Sequence, residues 1–173
     1  MDAITSRQLI LLGGVFLLVL INAFFVAAEF SLVTARRTRI EQMAAQGNRL
    51  AGVLLRAMEN PNIFISAAQI GITMASLGIG WLGEPAIASL FDELFTYLPA
   101  SWRGFASHTV AVIFAFTLIT LLEVILGEQV PKMIAIQRAE RTALLTAQLT
   151  HFVSLIFRPI IFVIYWTTEL ILR

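Results

Sequence analysis

Between Gln8 and Ala28 the chain carries no charged side chain. A bilayer core about 30 Å thick is crossed by roughly 20 apolar residues in a helix, and this run meets that length. Ile63 to Leu82 is a second uncharged run of similar length. Ala106 to Leu122 is shorter, but Val124, Ile125 and Leu126 extend it past a single Glu123. The expected fold is therefore all-α and integral to the membrane, with three spans over about 8–33, 62–82 and 106–127.

Composition agrees with this reading. Of 173 residues, 58% are hydrophobic and 13% charged, against about 25% charged in a soluble domain, which must coat itself with polar groups. The N-terminus, Met-Asp-Ala-Ile-Thr-Ser-Arg, lacks the basic start and short apolar core of a cleaved signal, so the first run reads as a permanent helix. There is no cysteine, which removes disulfides and thiolate metal sites, and His108 and His151 alone do not make a multi-histidine site. A net charge of +1 gives no reason to expect a nucleic-acid partner.

Orientation follows from the placement of Lys and Arg. Thr34 to Asn62 holds Arg36, Arg37, Arg39, Arg49 and Arg56 against Glu41 and Glu59. The opposite loop, Gly83 to Phe105, has Arg103 alone against Glu84, Asp92 and Glu93, and Lys132, Arg138 and Arg141 follow the third span. This places the N-terminus outside and both the 35–60 segment and the C-terminal part in the cytoplasm of a plasma (inner) membrane protein. The 35–60 segment is rich in helix formers, with Gly47-Asn48 as a break, so it reads as a hairpin of two short helices. Asn60-Pro61 ends it and launches the second span.

The apolar region from Thr142 to Leu172 is cut by Arg158-Pro159, where proline removes a backbone donor. Gln137, Arg141, Gln148, His151, Ser154 and Arg158 fall on one side of a helix, within roughly 140°. Two readings stand: a juxtamembrane helix over about 134–172 lying in the interface, or a kinked fourth span.

Three carboxylates, Glu29, Glu123 and Glu128, lie toward the cytoplasmic ends of the spans, where the interface is one explanation for them. Asn22 and Glu29 are seven apart and share a side of the first span. Ser66, Gln69, Thr73 and Ser76 form a stripe on the second, a pattern that often only glues membrane helices together. The most informative stretch is Glu123-Val-Ile-Leu-Gly-Glu-Gln-Val-Pro-Lys132. Pro131 has no N–H, so in an α-helix the Gly127 carbonyl loses its partner. Gly127 has no side chain to keep an ion away, and Glu128 sets a carboxylate beside it. A bare carbonyl and a carboxylate at a broken helix outline a cation site; the plainer alternative is that Pro131 ends the span and water covers Gly127. Oxygen donors suit hard ions such as Mg²⁺, without excluding Na⁺ or a proton.

These motifs together resemble the transmembrane domain of the CNNM/CorC family of magnesium transporters. The resemblance rests on Asn22-Ala-Phe-Phe-Val-Ala-Ala-Glu-Phe-Ser-Leu-Val33 with Arg36-Arg37, Glu59-Asn-Pro-Asn62, Gln69-Ile-Gly-Ile-Thr73, Leu82-Gly-Glu-Pro85 and Leu126-Gly-Glu-Gln-Val-Pro-Lys132. It implies a homodimer with three spans per subunit, a cytoplasmic belt helix, and Mg²⁺ export coupled to Na⁺. By position it implies Mg²⁺ ligands at Glu128, Gly127 and Ser66, and at the first-span positions Asn22, Ala28 and Glu29. Val26 and Ala28 lack the hydroxyls that other members carry there, so a backbone carbonyl would have to substitute. The resemblance also implies cytoplasmic CBS domains in the full-length protein, absent from this sequence, so no ATP site is expected in it. An anchor or regulator that binds Mg²⁺ without moving it is the competing function. A membrane enzyme lacks an evident nucleophile–base pair.

Overall fold

The computed structural model describes residues 3–96 and 108–172, which are helical almost throughout, with no strand among them. In chain order the helices are α1 (Ala3–Thr34), α2 (Arg37–Ala45), α3 (Arg49–Glu59), α4 (Pro61–Thr96) and α5 (His108–Leu122). A π-helical segment (Glu123–Gln129) leads into α6 (Val130–Gln137), followed by α7 (Ala139–Ile156) and α8 (Arg158–Ile171). Three stretches, Ser6–Thr34, Pro61–Ile87 and Val112–Gln137, are long and apolar enough to cross a membrane. The protein is an all-α, multi-pass membrane domain.

α1 is the central post. Its broadest contact is with α4, and the π segment, α6 and α7 pack on it as well. The α1–α4 seam is tight at Gly71, where an added Cβ would lie 2.4–2.6 Å from Cδ2, Cε2 and Cγ of Phe25. Small residues at such crossings let helices approach where lipid supplies no hydrophobic drive between them. Away from the seams, Phe16, Leu77, Trp81, Phe114 and Phe116 are exposed, as side chains facing hydrocarbon would be.

α2 and α3 form the expected hairpin. Gly47 makes the turn at φ +87°, a conformation that glycine adopts without penalty. Asn48 then caps α3, its side-chain oxygen accepting from the N–H groups of Leu50 (3.0 Å) and Ala51 (3.3 Å). The hairpin is docked, because Ile40, Ala51 and Leu54 are fully buried in a cluster with Ala28 and Leu32 of α1 and Ala143 and Ala147 of α7. At its surface Arg36 Nε donates to Glu140 Oε1 at 2.9 Å, which holds the Glu140 carboxyl below the usual range. In water such a pair contributes little.

The structure departs from the sequence reading at three places. Pro85 does not end the second long helix: α4 runs on to Thr96, where a loop from Gly83 to Phe105 was expected, and residues 97–105 of that loop lie outside the described residues. One missing N–H is tolerated because Ala86 and Ile87 are buried and keep the helix packed. Pro131 likewise does not end the third, which continues to Gln137 through the π segment. Ser154, placed with the polar side of the C-terminal helix, is buried and donates its hydroxyl to the His151 carbonyl at 2.7 Å. α7 packs through a strip of small residues, Ala139, Ala143, Thr146, Ala147, Thr150 and Ser154, while Leu145, Leu149, Phe152 and Ile156 are exposed. α7 and α8 meet at a bend of 74°, so the two arms do not run together along one membrane normal.

The seam can be tested by substitution. Gly71→Ala forces the whole Phe25 ring to move, and that ring is buried edge-on to Phe24. A cost of about 1–3 kcal/mol is expected from such overpacking, read as a lowered unfolding midpoint in detergent. Gly80→Ala, which meets nothing within 4 Å, should leave the midpoint unchanged or slightly raised.

Candidate cation site

The site is assembled where α1 crosses the π segment. Asn22 is 2% exposed, and its Nδ2 donates to the Gly127 carbonyl at 3.3 Å across 105 residues of sequence. Gly127 is buried there because a Cβ would lie 3.0 Å from Asn22 Nδ2 and 3.8 Å from Asn22 Cβ. Glycine is thus what leaves room for the Asn22 side chain. The hypothetical Cβ would also lie 3.7 Å from Glu123 Cγ, so the Glu123 side chain borders the same spot.

The π geometry explains the local backbone. Its bonds run from each N–H to the carbonyl five residues back, and the Val130 N–H donates to Ile125 in that way. In this register the donor that Pro131 lacks would have served Leu126 rather than Gly127. The Gly127 carbonyl is not bare, since the Asn22 amide is on it. The orphan is instead Asn22 Oδ1, which is buried and has no hydrogen-bond partner. An unpaired buried acceptor costs about 1–3 kcal/mol. It is relieved by a water, a donor or a cation.

The other expected site residues divide by helix. Glu29 Oε1 accepts from Gln69 Nε2 at 3.4 Å across the α1–α4 seam. On that side Ser66, Gln69, Thr73 and Ile164 line an open cavity of about 340 Å³. Ala28 is fully buried in the cluster that holds the hairpin, and its carbonyl accepts from Ser31 Oγ at 3.2 Å. Glu128 is exposed on the surface of the chain, because Gly127 takes the inward position and the next residue turns away. No three Asp, Glu, His or Cys side chains converge among the described residues. Within one chain, then, Asn22 and Gly127 are brought together, Glu29 meets Gln69 across the α1–α4 seam, Ser66 lines a cavity between α4 and α8, and Glu128 stands apart. Sequence reasoning gave Glu123 little weight; its spacing of four from Gly127 was the signal that it would border the site.

Comparison with known proteins agrees with this architecture. Residues 13–173 match the family model described as the Cyclin M transmembrane N-terminal domain, CNNM. The chain belongs to the CNNM family. It is 40% identical over 171 residues to the UPF0053 protein YhdT of Bacillus subtilis (strain 168), covering 99% of this chain and 36% of that protein. The polyamine export protein of Haemophilus influenzae is 30% identical over 145 residues, 83% of this chain and 33% of that protein. This CNNM domain spans about a third of the length of the curated relatives it matches.

The Asn22–Gly127 contact makes a stability prediction. Asn22→Leu removes one long hydrogen bond and the orphan acceptor together, so the unfolding midpoint should stay within about 3 °C of wild type. Gly127→Ala, which pushes Asn22 away, should lower it by more. A reversed order would mean that the amide holds the seam together.

Proposed function

We propose that this domain carries Mg²⁺ across the membrane, as export coupled to Na⁺, and that the cation passes the Asn22–Gly127 crossing. The observation that carries this reading is the buried, partnerless Asn22 Oδ1 beside a backbone carbonyl. Turning the Asn22 amide over would set Oδ1 against the Gly127 oxygen. Two oxygens facing each other repel unless a cation lies between them. Adjacent corners of an octahedron with ligands at 2.0–2.1 Å are about 2.9 Å apart, close to the separation of 3.3 Å already present. Glu123 borders the spot, and Glu29 with Ser66 extends oxygen donors along α1 and α4.

The proposal includes a homodimer in the plasma membrane. A carboxylate in the middle of a bilayer costs about 2.5–3.5 kcal/mol, and Glu128 is exposed on this chain. A second copy over the third span would take Glu128 out of lipid and add its charge to the path. The hairpin and the C-terminal helices then lie in the cytoplasm, as the arginine distribution requires, and the N-terminus outside.

A second reading has one observation behind it: the relative from Haemophilus influenzae is named as a polyamine exporter. Polyamines are cations with N–H donors, and Glu29, Glu123 and Glu128 would then serve as their acceptors.

Flux into proteoliposomes separates these readings. With a Na⁺ gradient, Mg²⁺ flux is expected in wild type and should fall by about tenfold or more in both Asn22→Leu and Glu128→Ala, as for a loss of about 1.4 kcal/mol. Calorimetric titration should show the same variants binding Mg²⁺ more weakly. Binding without flux would favour a regulatory domain, and spermidine flux without Mg²⁺ flux the polyamine reading. Topology is accessible because the chain has no cysteine. A lone Thr38→Cys should react with an impermeant maleimide only from the cytoplasmic side, and Ser6→Cys only from outside.

A further inference from the structure

A second cavity, of about 200 Å³, lies between the end of α3, the start of α4 and the α7–α8 bend. Arg56, Asn60, His151 and Arg158 line it, together with Phe64 and Leu155. Arg36 holds Glu140 and Arg37 holds Glu41, while Arg39, Arg49, Arg138 and Arg141 make no ion pair among the described residues. Arg56 and Arg158 make none there either, although Glu59 lies one turn from Arg56 on the same helix, and these two border one cavity. Arg158 is also the first residue of α8, a cation at the positive end of its own helix. α4 starts at Pro61, so its N–H-rich end opens nearby. Two arginines and the starts of α4 and α8 thus border one cavity, and its lining residues include no acid.

The surroundings specify what kind of anion fits. Asn60 directly precedes the membrane-crossing stretch Pro61–Ile87, which puts the cavity at the level of the lipid head groups. One wall is apolar and leads onto exposed Leu155, Ile156 and Ile160, a surface suited to acyl chains. We propose that this cavity binds the phosphate of an anionic phospholipid, with Arg56 and Arg158 as its principal contacts. The lipid would bridge the hairpin, the second span and the α7–α8 bend, fixing the angle of that bend. This inference does not depend on which cation the domain carries.

Native mass spectrometry of the protein released from nanodiscs of mixed phosphatidylglycerol and phosphatidylethanolamine tests it. Wild type should retain phosphatidylglycerol selectively. Arg56→Gln and Arg158→Gln should each weaken retention by about fivefold, the effect of one basic side chain near a charged leaflet. Arg141→Gln removes the same charge from α7 outside the cavity and should retain lipid as wild type does. Both cavity arginines are exposed, so the variants should fold; Arg158→Lys, which keeps the charge, should recover most of the retention. An equal loss in Arg141→Gln would reduce the effect to general surface charge and overturn the site. Displacement of the lipid by millimolar inorganic phosphate would overturn the lipid assignment in favour of a free-anion site. Absence of any preference for phosphatidylglycerol would overturn the proposal outright.

Discussion

A helix in hydrocarbon gains nothing from hiding apolar side chains, so what holds helices together there is close contact and the pairing of polar groups. In this domain both are concentrated on α1. Its crossing with α4 is tight because Gly71 leaves room for the Phe25 ring. Its crossing with the third span is tight because Gly127 leaves room for Asn22. Further along, Ala28 and Leu32 anchor the hairpin and α7. The polar residues of α1 are spaced two turns apart, Asn22 and Glu29, and each meets a different partner helix. The candidate cation site and the fold therefore share one helix, and a change in how α1 packs is a change in that site.

The π segment reconciles two demands on the third span. Pro131 withdraws an N–H in the middle of an apolar helix, where an unanswered carbonyl is expensive. Widening the turn moves the vacancy from Gly127 to Leu126 and lets the helix continue to Gln137. The same widening leaves the Gly127 carbonyl facing α1, where the Asn22 amide reaches it. π-bulges recur at functional sites because an irregular register presents backbone oxygens that a regular helix would consume. Here the irregularity falls on Gly127, the glycine of the third span that Asn22 of α1 approaches.

The spans were legible in the sequence because charge in lipid is costly enough to leave long uncharged runs, as at Gln8 to Ala28. The hairpin was legible for a different reason: Gly47-Asn48 is local chemistry, a positive φ followed by a side-chain cap. Proline was read too strongly at Pro131, and the loop expected from Gly83 is helix as far as Thr96, since what a proline costs locally is offset by burial of Ala86, Ile87 and Ala135, which only the packed structure reveals. The candidate site was legible as a set of residue types and not as an arrangement. Asn22 and Gly127 were each singled out, yet nothing short of the α1 crossing could tell that one donates to the other. Glu128 illustrates the reverse. Its neighbour Gly127 points inward, and helical geometry turns the carboxylate away from the spot that its position in sequence suggested.

The unpaired Asn22 oxygen bears on how such a site avoids holding its cargo too tightly. A ring of carboxylates closed around a divalent ion would bind strongly and release slowly, and no such ring exists among the described residues. An amide that can offer either its N–H₂ or its oxygen has two states of similar shape. In this structure it donates to Gly127 at 3.3 Å and leaves Oδ1 unsatisfied. With the ion, on this reading, it presents the oxygen and gives up a long, weak hydrogen bond. Switching between the two states then costs little, and a neutral amide oxygen would hold a divalent ion less tightly than a ring of carboxylates. A leucine at position 22 would preserve the packing and lose both states, which is why loss of flux without loss of fold is the result that distinguishes a transport ligand from a structural amide.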